Sequence, residues 1–308
     1  DPDGDWSSDV CSSDLMSIVD LSSLPAPSVL EPLDFEEVYQ EGLSVFRGYM
    51  GGNWNAALES DPVTKVLEVG AYIKVGNRAR VNDAGKAVLL AHAIGGDLDH
   101  LGANVNLKRL VIQAEDLLAV PPVREVKEDD DPFRERIQLA YEGLTTAGPR
   151  NSYILHARNA SGLVADATAE SPAPCFVTVT VLCLDGEGEA PPELLATVAT
   201  ALNDDDVRPV GDRVTVQSAQ VIRYPINAIL HMASAGPEAD ASLAEAKSRL
   251  AAWINPRKRL GVEVARSGVD AQLHVAGVSR VELVGWQDLA PTKAQAAFCT
   301  GYTVTLAG

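Results

Sequence analysis

The chain has 308 residues, enough for two or three domains, and its 46% hydrophobic and 22% charged residues are typical of a globular protein. With 43 acidic and 25 basic residues, the formal net charge of −18 disfavours binding to nucleic acid or to an anionic membrane surface. No apolar run approaches the roughly 18–20 residues that a membrane span needs. The four cysteines are scattered and form no CxxC pair, which argues against a disulfide framework or a zinc ribbon and favours a reducing compartment.

The first fifteen residues, DPDGDWSSDVCSSDL, differ from the rest of the chain. They contain five Asp and no basic residue, and they lack the basic start and apolar middle of a secretory signal. We interpret residues 1–15 as a non-native or disordered leader and Met16 as the true start. Without this segment the net charge would change from −18 to −13, since five Asp and no base are lost.

The region that follows is expected to be helical. Asp34, with a Glu three residues later, is typical of a capping box and predicts a helix over 35–46. A Pro at the first helical position starts a second helix of some thirty residues over 62–91, with a possible interruption near Gly76. A Gly-Gly pair ends it, and a short helix over 98–102 follows, with Asp97 as its cap. A helix as long as the second needs another helix, its own or a partner's, to cover its apolar face.

Beyond an expected linker at 110–122, helices alternate with segments of period two. Helices are predicted over 133–144, with Asp131 as the cap, and over 152–160, 191–202, 237–254 and 264–275. Strands are predicted from 164 onward, and over 175–183, 213–221, 226–232, 278–284 and 294–304.

Two parts of this region resemble each other weakly, in two pairs of segments. HARNASGLVADATAE is similar to HVAGVSRVELVG, and VLCLDGEGEAPPELLATVATAL is similar to ILHMASAGPEADASLAEAKSRL. Chance similarity of Ala-rich helices is the alternative explanation. We predict an α+β protein in which an N-terminal helical region precedes two small α+β domains of similar construction. The expected divisions are 1–15 for the leader, 16–120 for the helical region, and 121–222 and 223–308 for the two α+β domains.

The sequence contains no catalytic signature, so no residue is assigned to catalysis, to cofactor binding or to a metal. The sequence has no GxSxG elbow, no HxxxH or HExxH pair and no phosphate-binding glycine loop. The cysteines, of which Cys175 and Cys183 are expected on the same face of one strand, are interpreted as small buried hydrophobic residues.

Four clusters of charged residues have simpler interpretations than a functional site. Asp97, Asp99 and His100 are interpreted as a helix cap and surface residues, and the basic cluster 257–259 as an exposed helix end. The acidic runs 128–131 and 204–206 could bind divalent cations weakly, but solvated turns are the simpler interpretation. The expected cofactor content is therefore none.

Several whole segments resemble the baseplate assembly protein J family of contractile-tailed temperate phages. They are MSIVDLSSLPAPSVLEPLDFEEV, RVNDAGKAVLLAHAIGGDLDHLGANVNLKRL, DPFRERIQLAYEGLTTAGP, NDDDVRPVGDRVTVQSAQ, HVAGVSRVELV and PTKAQAAFCTGYTVT. The resemblance covers essentially all of residues 16–308 in order, and only the leader departs from it.

The resemblance implies a structural component of the baseplate wedge in a phage tail or tailocin, located in the virion and assembled in the host cytoplasm. It implies a homodimer within each wedge, a fibre-bearing tail protein I as partner, and contacts with a sheath-initiator-like protein W and with the hub and spike. It implies no catalytic residue. The acidic net charge and the lack of a long apolar run predict no nucleic-acid partner and no membrane insertion. Two alternatives remain open: a tail-associated cell-wall hydrolase and a transient tail-assembly factor.

Overall fold

The computed structural model describes residues 19–307 except for 26, 52–60, 141–148, 234–235, 237 and 256–258. The chain divides into two compact units, Asp1–Lys108 and Arg109–Gly308. The finer division into a leader, a helical region and two α+β domains with the boundaries given above stays a proposal.

The first unit is helical in its described part. Its elements are a 3-10 turn at Leu21–Ser23 and three helices: α1 (Phe35–Met50), α2 (Pro62–Ala87) and α3 (Gly95–Asn104). The cap of α1 is confirmed, because the Asp34 carboxylate accepts a hydrogen bond of 2.9 Å from the Glu37 N–H. Helix α2 starts with Pro at its first position, as predicted, and continues without interruption past Gly76.

The prediction for the end of this helical unit was partly wrong. Helix α2 ends at Ala87, four residues earlier than expected. Gly95, which was expected to lie in a break, begins α3 with a positive φ of 51°. The residue at the cap position is Ile94, which has no side chain to cap with, and Asp97 lies inside the first turn. The negative charge of Asp97 still interacts favourably there with the positive N-terminal end of the helix dipole.

The second unit contains five helices and eight strands among the described residues. The helices are α4 (Asp130–Leu139), α5 (Arg150–Ala160), α6 (Pro192–Leu202), α7 (Glu238–Trp253) and α8 (Arg266–Leu273). The strands are β1 (Val111–Gln113), β2 (Val126–Lys127), β3 (Val164–Ala173), β4 (Phe176–Cys183), β5 (Arg213–Ser218), β6 (Gln220–Met232), β7 (Val278–Leu283) and β8 (Gln295–Leu306).

The two three-stranded sheets have the same construction. In the first, β4 is central, antiparallel to β3 and parallel to β5. In the second, β6 is central, antiparallel to β7 and parallel to β8. A helix follows each central strand, and another precedes each antiparallel strand, although the order of these pieces along the chain differs. The topology therefore confirms the α+β class and the similar construction of the two domains.

Each sheet has its own hydrophobic core. The first core joins α5 and α6 to the sheet, with Val179, Val181 and Val198 fully buried. The second joins α7 and α8 to β6 and its neighbours, with Leu230 and Leu250 fully buried. A much smaller apolar cluster contains residues of both domains: Leu182, Ala219, Leu260 and Ala296.

Three predictions about this unit need correction. The expected linker at 110–122 is partly a strand, because it contains β1. Strand β1 pairs with β2, which lies just after the expected linker, in a short antiparallel ribbon. Helix α4 begins at Asp130, with Asp129 at the cap position and no side-chain cap bond, so Asp131 is not the cap. Strand β6 starts at Gln220 instead of 226, since its parallel pairing with β8 begins there. The predicted continuation of α4 to 144 falls on residues 141–148, outside the described residues.

Candidate functional site

Helix α2 has one face that packs within the first unit and one whose side chains are exposed. Ala71 and Asn82 lie on the packed face and are almost fully buried. On the flank of this face, Lys74 makes an ion pair of 2.7 Å with Glu41 of α1. The hydrogen bond and the charge of Lys74 lower the pKa of the Glu41 carboxyl below its usual 4.5. Apolar contact and opposite charges together hold α1 against α2.

The extended segment before α1 is bound to the same face of α2 by hydrogen bonds and an ion pair. Asn82 accepts a hydrogen bond from the Glu31 N–H at 2.9 Å and donates one to the Glu31 carbonyl at 2.8 Å. The Arg78 guanidinium lies 2.7 Å from the Glu31 carboxylate. Gly85 lets the chain pass closely, because a Cβ there would lie 3.0 Å from a Val29 methyl group. This role of Asn82 is not predictable from the local sequence, because its partner Glu31 lies 51 residues away.

Another face of α2 carries a row of mostly apolar residues that are exposed in the described part of the chain. Its members are Val66, Gly70, Ile73, Asn77, Val81 and Ala84 of α2 and the cap residue Val88 directly after its end, all exposed. The large side chains are more than half exposed, with 71% for Val66, 56% for Ile73 and 69% for Val88. Spacings of four and three residues keep all seven positions on one side of the helix. We call this set the α2 stripe.

The length and composition of the α2 stripe are those of a helix-packing surface. From Val66 to Val88 the α2 stripe extends about 33 Å at 1.5 Å per residue. Exposed apolar residues scattered singly are normal on a protein surface, whereas a continuous row marks a place where another molecule packs. The α2 stripe is consistent with the expectation that a helix of this length needs another helix to cover its apolar face.

A second candidate lies in the other unit, where charged residues surround a cleft of about 600 Å³. Glu128 and Arg136 form its most buried ion pair, at 3.0 Å, with 7% and 2% of their side chains exposed. Phe133 is fully buried beside them and has the guanidinium groups of Arg109 and Arg136 over its ring at 5.0 and 5.6 Å. Burial raises the pKa of Glu128 above 4.5 in spite of Arg136.

Glu135 and Asp166 extend this group of charged side chains from α4 to the second α+β domain. We call the whole group, with Glu128, Arg136, Arg158 and Arg259, the charge cluster. Glu135 bonds to Arg158 of α5 at 3.1 Å and also to Arg259, which precedes α8. Asp166 of β3 accepts a hydrogen bond of 2.9 Å from the Leu260 N–H, and Arg259 lies 3.7 Å from the same carboxylate. The charge cluster therefore connects helices, sheet and loop of both α+β domains.

The pKa shifts of the two connecting carboxyls have opposite directions. Burial raises the pKa of Glu135, but its hydrogen bonds and ion pairs with Arg259 and Arg158 outweigh burial and leave it below 4.5. Burial dominates at Asp166 and raises its pKa above 3.8, although Leu260 and Arg259 act against it. In this cluster carboxylates face guanidinium groups, an arrangement that joins segments of chain and offers no activated nucleophile.

Two of the simple interpretations made from sequence are wrong at this cluster. The run 128–131 is not merely a solvated turn, because Glu128 is buried and paired with Arg136. Arg259 is not a free basic helix end, because it bonds to Glu135. Its neighbours 257 and 258 lie outside the described residues. No local signal in the sequence shows these roles, because Glu135 and Arg259 are separated by 124 residues.

The other candidates remain apart. Among the described residues, no group of three or more His, Cys, Asp or Glu could hold a metal ion. Cys183 and Cys299 are buried as expected, whereas Cys175 is exposed in the turn before β4, with a positive φ of 64°, and so does not share a strand face with Cys183. Cys11 lies outside the described residues. No described helix is both long and apolar enough to cross a membrane.

Comparison with known proteins agrees with the sequence resemblance. Residues 59–116 match the model of the Baseplate J-like N-terminal domain, and residues 145–218 match that of the Baseplate J-like central domain. The chain is 45% identical over 300 residues to "Baseplate protein J" of Escherichia phage P2, covering 95% of this chain and 99% of that protein. The chain therefore belongs to the baseplate J-like family.

Among solved structures, the chain is similar to a chain in the baseplate of the anti-feeding prophage, determined by cryo-electron microscopy. The TM-score is 0.40 and the identity 14%, over 62% of this chain and 49% of that one. The chain thus spans about half the length of that solved chain. A similarity of this size supports no argument about function, which rests instead on the phage P2 relative.

Proposed function

We propose that the protein is a structural component of the baseplate of a contractile tail, located in the virion, and that it has no enzymatic activity of its own. The observation that carries this proposal is the 45% identity to Baseplate protein J of phage P2 along nearly the whole chain. The α2 stripe supports it, because a subunit of a permanent assembly needs surfaces that stay uncovered in the isolated chain.

The more specific proposal is a wedge subunit. In this proposal two copies pair within each wedge and join a fibre-bearing tail protein I, and the wedges contact a sheath-initiator-like protein W and surround the hub and spike. The α2 stripe would serve the partner helices, and the two α+β domains would supply the pairing and ring contacts. Assembly would take place in the host cytoplasm. The finished particle would be a phage, a defective prophage or a tailocin.

The first experiment is light scattering on the full chain after gel filtration, alone and co-expressed with the neighbouring fibre-bearing tail protein. We expect a stable complex with two copies of this chain for each partner. A monomer that ignores the partner would contradict the wedge proposal. Clearing of peptidoglycan in a zymogram would then indicate a tail hydrolase, and absence of the chain from purified particles by mass spectrometry would indicate a transient assembly factor.

A substitution on the α2 stripe tests which surface is used. Ala84→Leu adds a large side chain at an exposed position, so the isolated chain should fold normally while close packing of a partner helix is blocked. We expect the affinity for the fibre-bearing partner to fall by about tenfold, the effect of 1.4 kcal/mol. Ala103→Leu, at an exposed position of α3, is the matched control and should leave binding unchanged. Equal binding of both variants would remove the α2 stripe from the proposal.

A further inference from the structure

Strand β7 lies at one edge of the second sheet and directs part of its backbone outward. The Val284 N–H donates a hydrogen bond of 2.9 Å to the Asn227 carbonyl, and the antiparallel register continues from there along β6. Hydrogen-bonded and non-hydrogen-bonded pairs alternate in such a ladder, so the backbone groups of Val281 and Leu283 point away from β6. We call this outward row, from Val281 to Leu283, the β7 edge.

The two edges of the second sheet differ in how they are covered. At the edge formed by β8, the Asn255 amide bonds to both backbone groups of Cys299 at 2.9 and 3.0 Å, and the Gly261 N–H bonds to the Gln295 carbonyl. At the β7 edge, no residue of the described part of the chain bonds to the outward groups. An open edge of this kind is a template on which another strand can pair.

The solvent face of the β7 edge has charges of both signs. Arg280 and Glu282 flank Val281, their side chains are 64% and 48% exposed, and they lie 3.2 Å apart. His231 of β6 contacts both, at 2.7 and 3.2 Å. The exposed charges at the β7 edge are therefore balanced, although the chain as a whole has a net charge of −18. Two copies can meet at this edge without local repulsion.

The order of these charges makes the β7 edge self-complementary. If two β7 strands pair in antiparallel fashion about Val281, each Arg280 lies directly opposite Glu282 of the other copy. Side chains directly opposite are about 5 Å apart at Cβ, closer than the about 7 Å between alternate residues of one strand. A register shifted by two residues would place Arg280 opposite Arg280, or Glu282 opposite Glu282, which is destabilising.

Charged side chains on an edge strand often serve to prevent pairing. Charges of a single sign would do so for a second copy in every register. Arg280 and Glu282 are instead opposite in sign and two residues apart. They disfavour the shifted registers and favour the symmetric one, so their arrangement specifies a register as well as a partner.

We propose that the β7 edge is a self-association surface, where a second copy adds its own β7 and the two three-stranded sheets become continuous. A second copy is favoured over a strand of another protein, because this chain itself supplies the complementary charge pattern about a two-fold axis. This inference deepens the proposed pairing of two copies by naming its surface, and it rests on the proposed function only in that respect.

The test measures the mass of the full chain by light scattering at low salt over a wide range of concentration. We expect a monomer–dimer equilibrium. Arg280→Glu and Glu282→Arg each place like charges opposite each other in the pair and should each weaken the dimer by about tenfold. A mixture of these two variants should restore it, because every new charge then faces its opposite. Arg249→Glu, at an exposed position of α7, is the matched control and should leave the dimer unchanged.

Hydrogen exchange distinguishes strand pairing from a looser contact. The Val281 amide faces outward and should be protected only in the dimer, whereas the Glu282 amide faces β6 and should be protected in the monomer as well. Arg280→Glu should accelerate exchange at Val281 by about tenfold at a concentration where the unaltered chain is dimeric. Addition of the Glu282→Arg chain should slow it again.

A chain that stays monomeric at every concentration would overturn the proposal, as would a dimer that Arg280→Glu does not weaken. The proposed function fails separately. A complex of two copies with the fibre-bearing protein that is insensitive to Arg280→Glu would overturn this inference alone. A dimer that depends on the β7 edge, in a chain that is absent from tail particles, would overturn the proposed function alone.

Discussion

At the scale of single residues, the pair of Glu128 and Arg136 is the most buried ion pair among the described residues. Removing one member of such a pair leaves the other charge buried without compensation, which typically costs 3–5 kcal/mol. We therefore expect Glu128→Leu to lower the free energy of unfolding of the second unit by about 3 kcal/mol. Urea unfolding followed by tryptophan fluorescence measures this change.

The control for this prediction removes both charges. The double variant Glu128→Leu with Arg136→Met should recover most of the lost stability, since apolar groups of similar volume often replace a buried pair without loss. If the double variant is less stable than the single one, the cost comes from packing around Phe133 and not from the unpaired Arg136.

Glu135 should contribute to the pH dependence of stability. Its folded-state pKa lies below the usual 4.5, because Arg259 and Arg158 favour the charged form more than burial disfavours it. Its stabilisation is therefore fully present above the unfolded-state pKa and is lost as the pH falls through the folded-state value. Glu128 and Asp166 act in the opposite sense, because their pKa values are raised and protonation favours the folded form.

The variant Glu135→Gln isolates this contribution. At pH 7 it should be less stable than the unaltered chain by about 2 kcal/mol, the usual value for a hydrogen bond to a charged group. The difference should stay constant down to about pH 5 and shrink below the ordinary pKa of 4.5. Urea unfolding at several pH values measures it, and a difference that grows on acidification would contradict the assigned direction.

At the scale of elements, Asn82 joins the extended segment before α1 to the buried face of α2. Because both of its hydrogen bonds are to the backbone of Glu31, Asn82→Ala leaves a backbone donor and acceptor without partners. We expect a loss of about 2 kcal/mol in the first unit. Asn77→Ala on the α2 stripe is the matched control and should be neutral or slightly stabilising, since Ala is the better helix former.

Hydrogen exchange at the Glu31 amide measures this effect locally. Its exchange should accelerate in Asn82→Ala and stay unchanged in Asn77→Ala. Equal effects of the two substitutions would indicate that general destabilisation of α2, and not the bonds to Glu31, is responsible.

The elements that sequence predicts well are those whose signals are local. The cap at Asp34, the Pro start of α2 and the existence of the strand β4 depend on neighbouring residues, and all three were predicted correctly. The ribbon of β1 and β2 was missed because its strands have only three and two residues. Strands this short have too few residues to show a period.

The candidate surfaces divide in the same way. The α2 stripe could be anticipated, since helical periodicity determines which residues share a face. The charge cluster could not, because Glu135 and Arg259 are separated by 124 residues and nothing in either local sequence indicates the other. From sequence alone, charged residues that pair with such distant partners are predicted to be solvated.

At the scale of the whole molecule, the junction between the two α+β domains is more polar than either core. Its apolar cluster has four residues, while Arg259 and Leu260 are held by Glu135 and Asp166. The Thr168 hydroxyl donates a hydrogen bond of 2.7 Å to the Lys293 carbonyl, which adds a further connection. A junction of this kind depends on directional bonds, so it should open locally with less free energy than the cores.

Asp166→Ala tests this local opening through the Leu260 amide, whose hydrogen bond of 2.9 Å ends on the Asp166 carboxylate. Since 1.4 kcal/mol corresponds to a factor of ten, loss of this bond and of the contact with Arg259 should accelerate exchange of that amide by about tenfold. Thr168→Val removes the other connection and is the control, with no change expected at Leu260. The Val179 amide in the first core should keep its exchange rate in both variants, because β4 belongs to a separately packed sheet. If Val179 accelerates together with Leu260, the two α+β domains open as one cooperative body and the junction is not the weaker element.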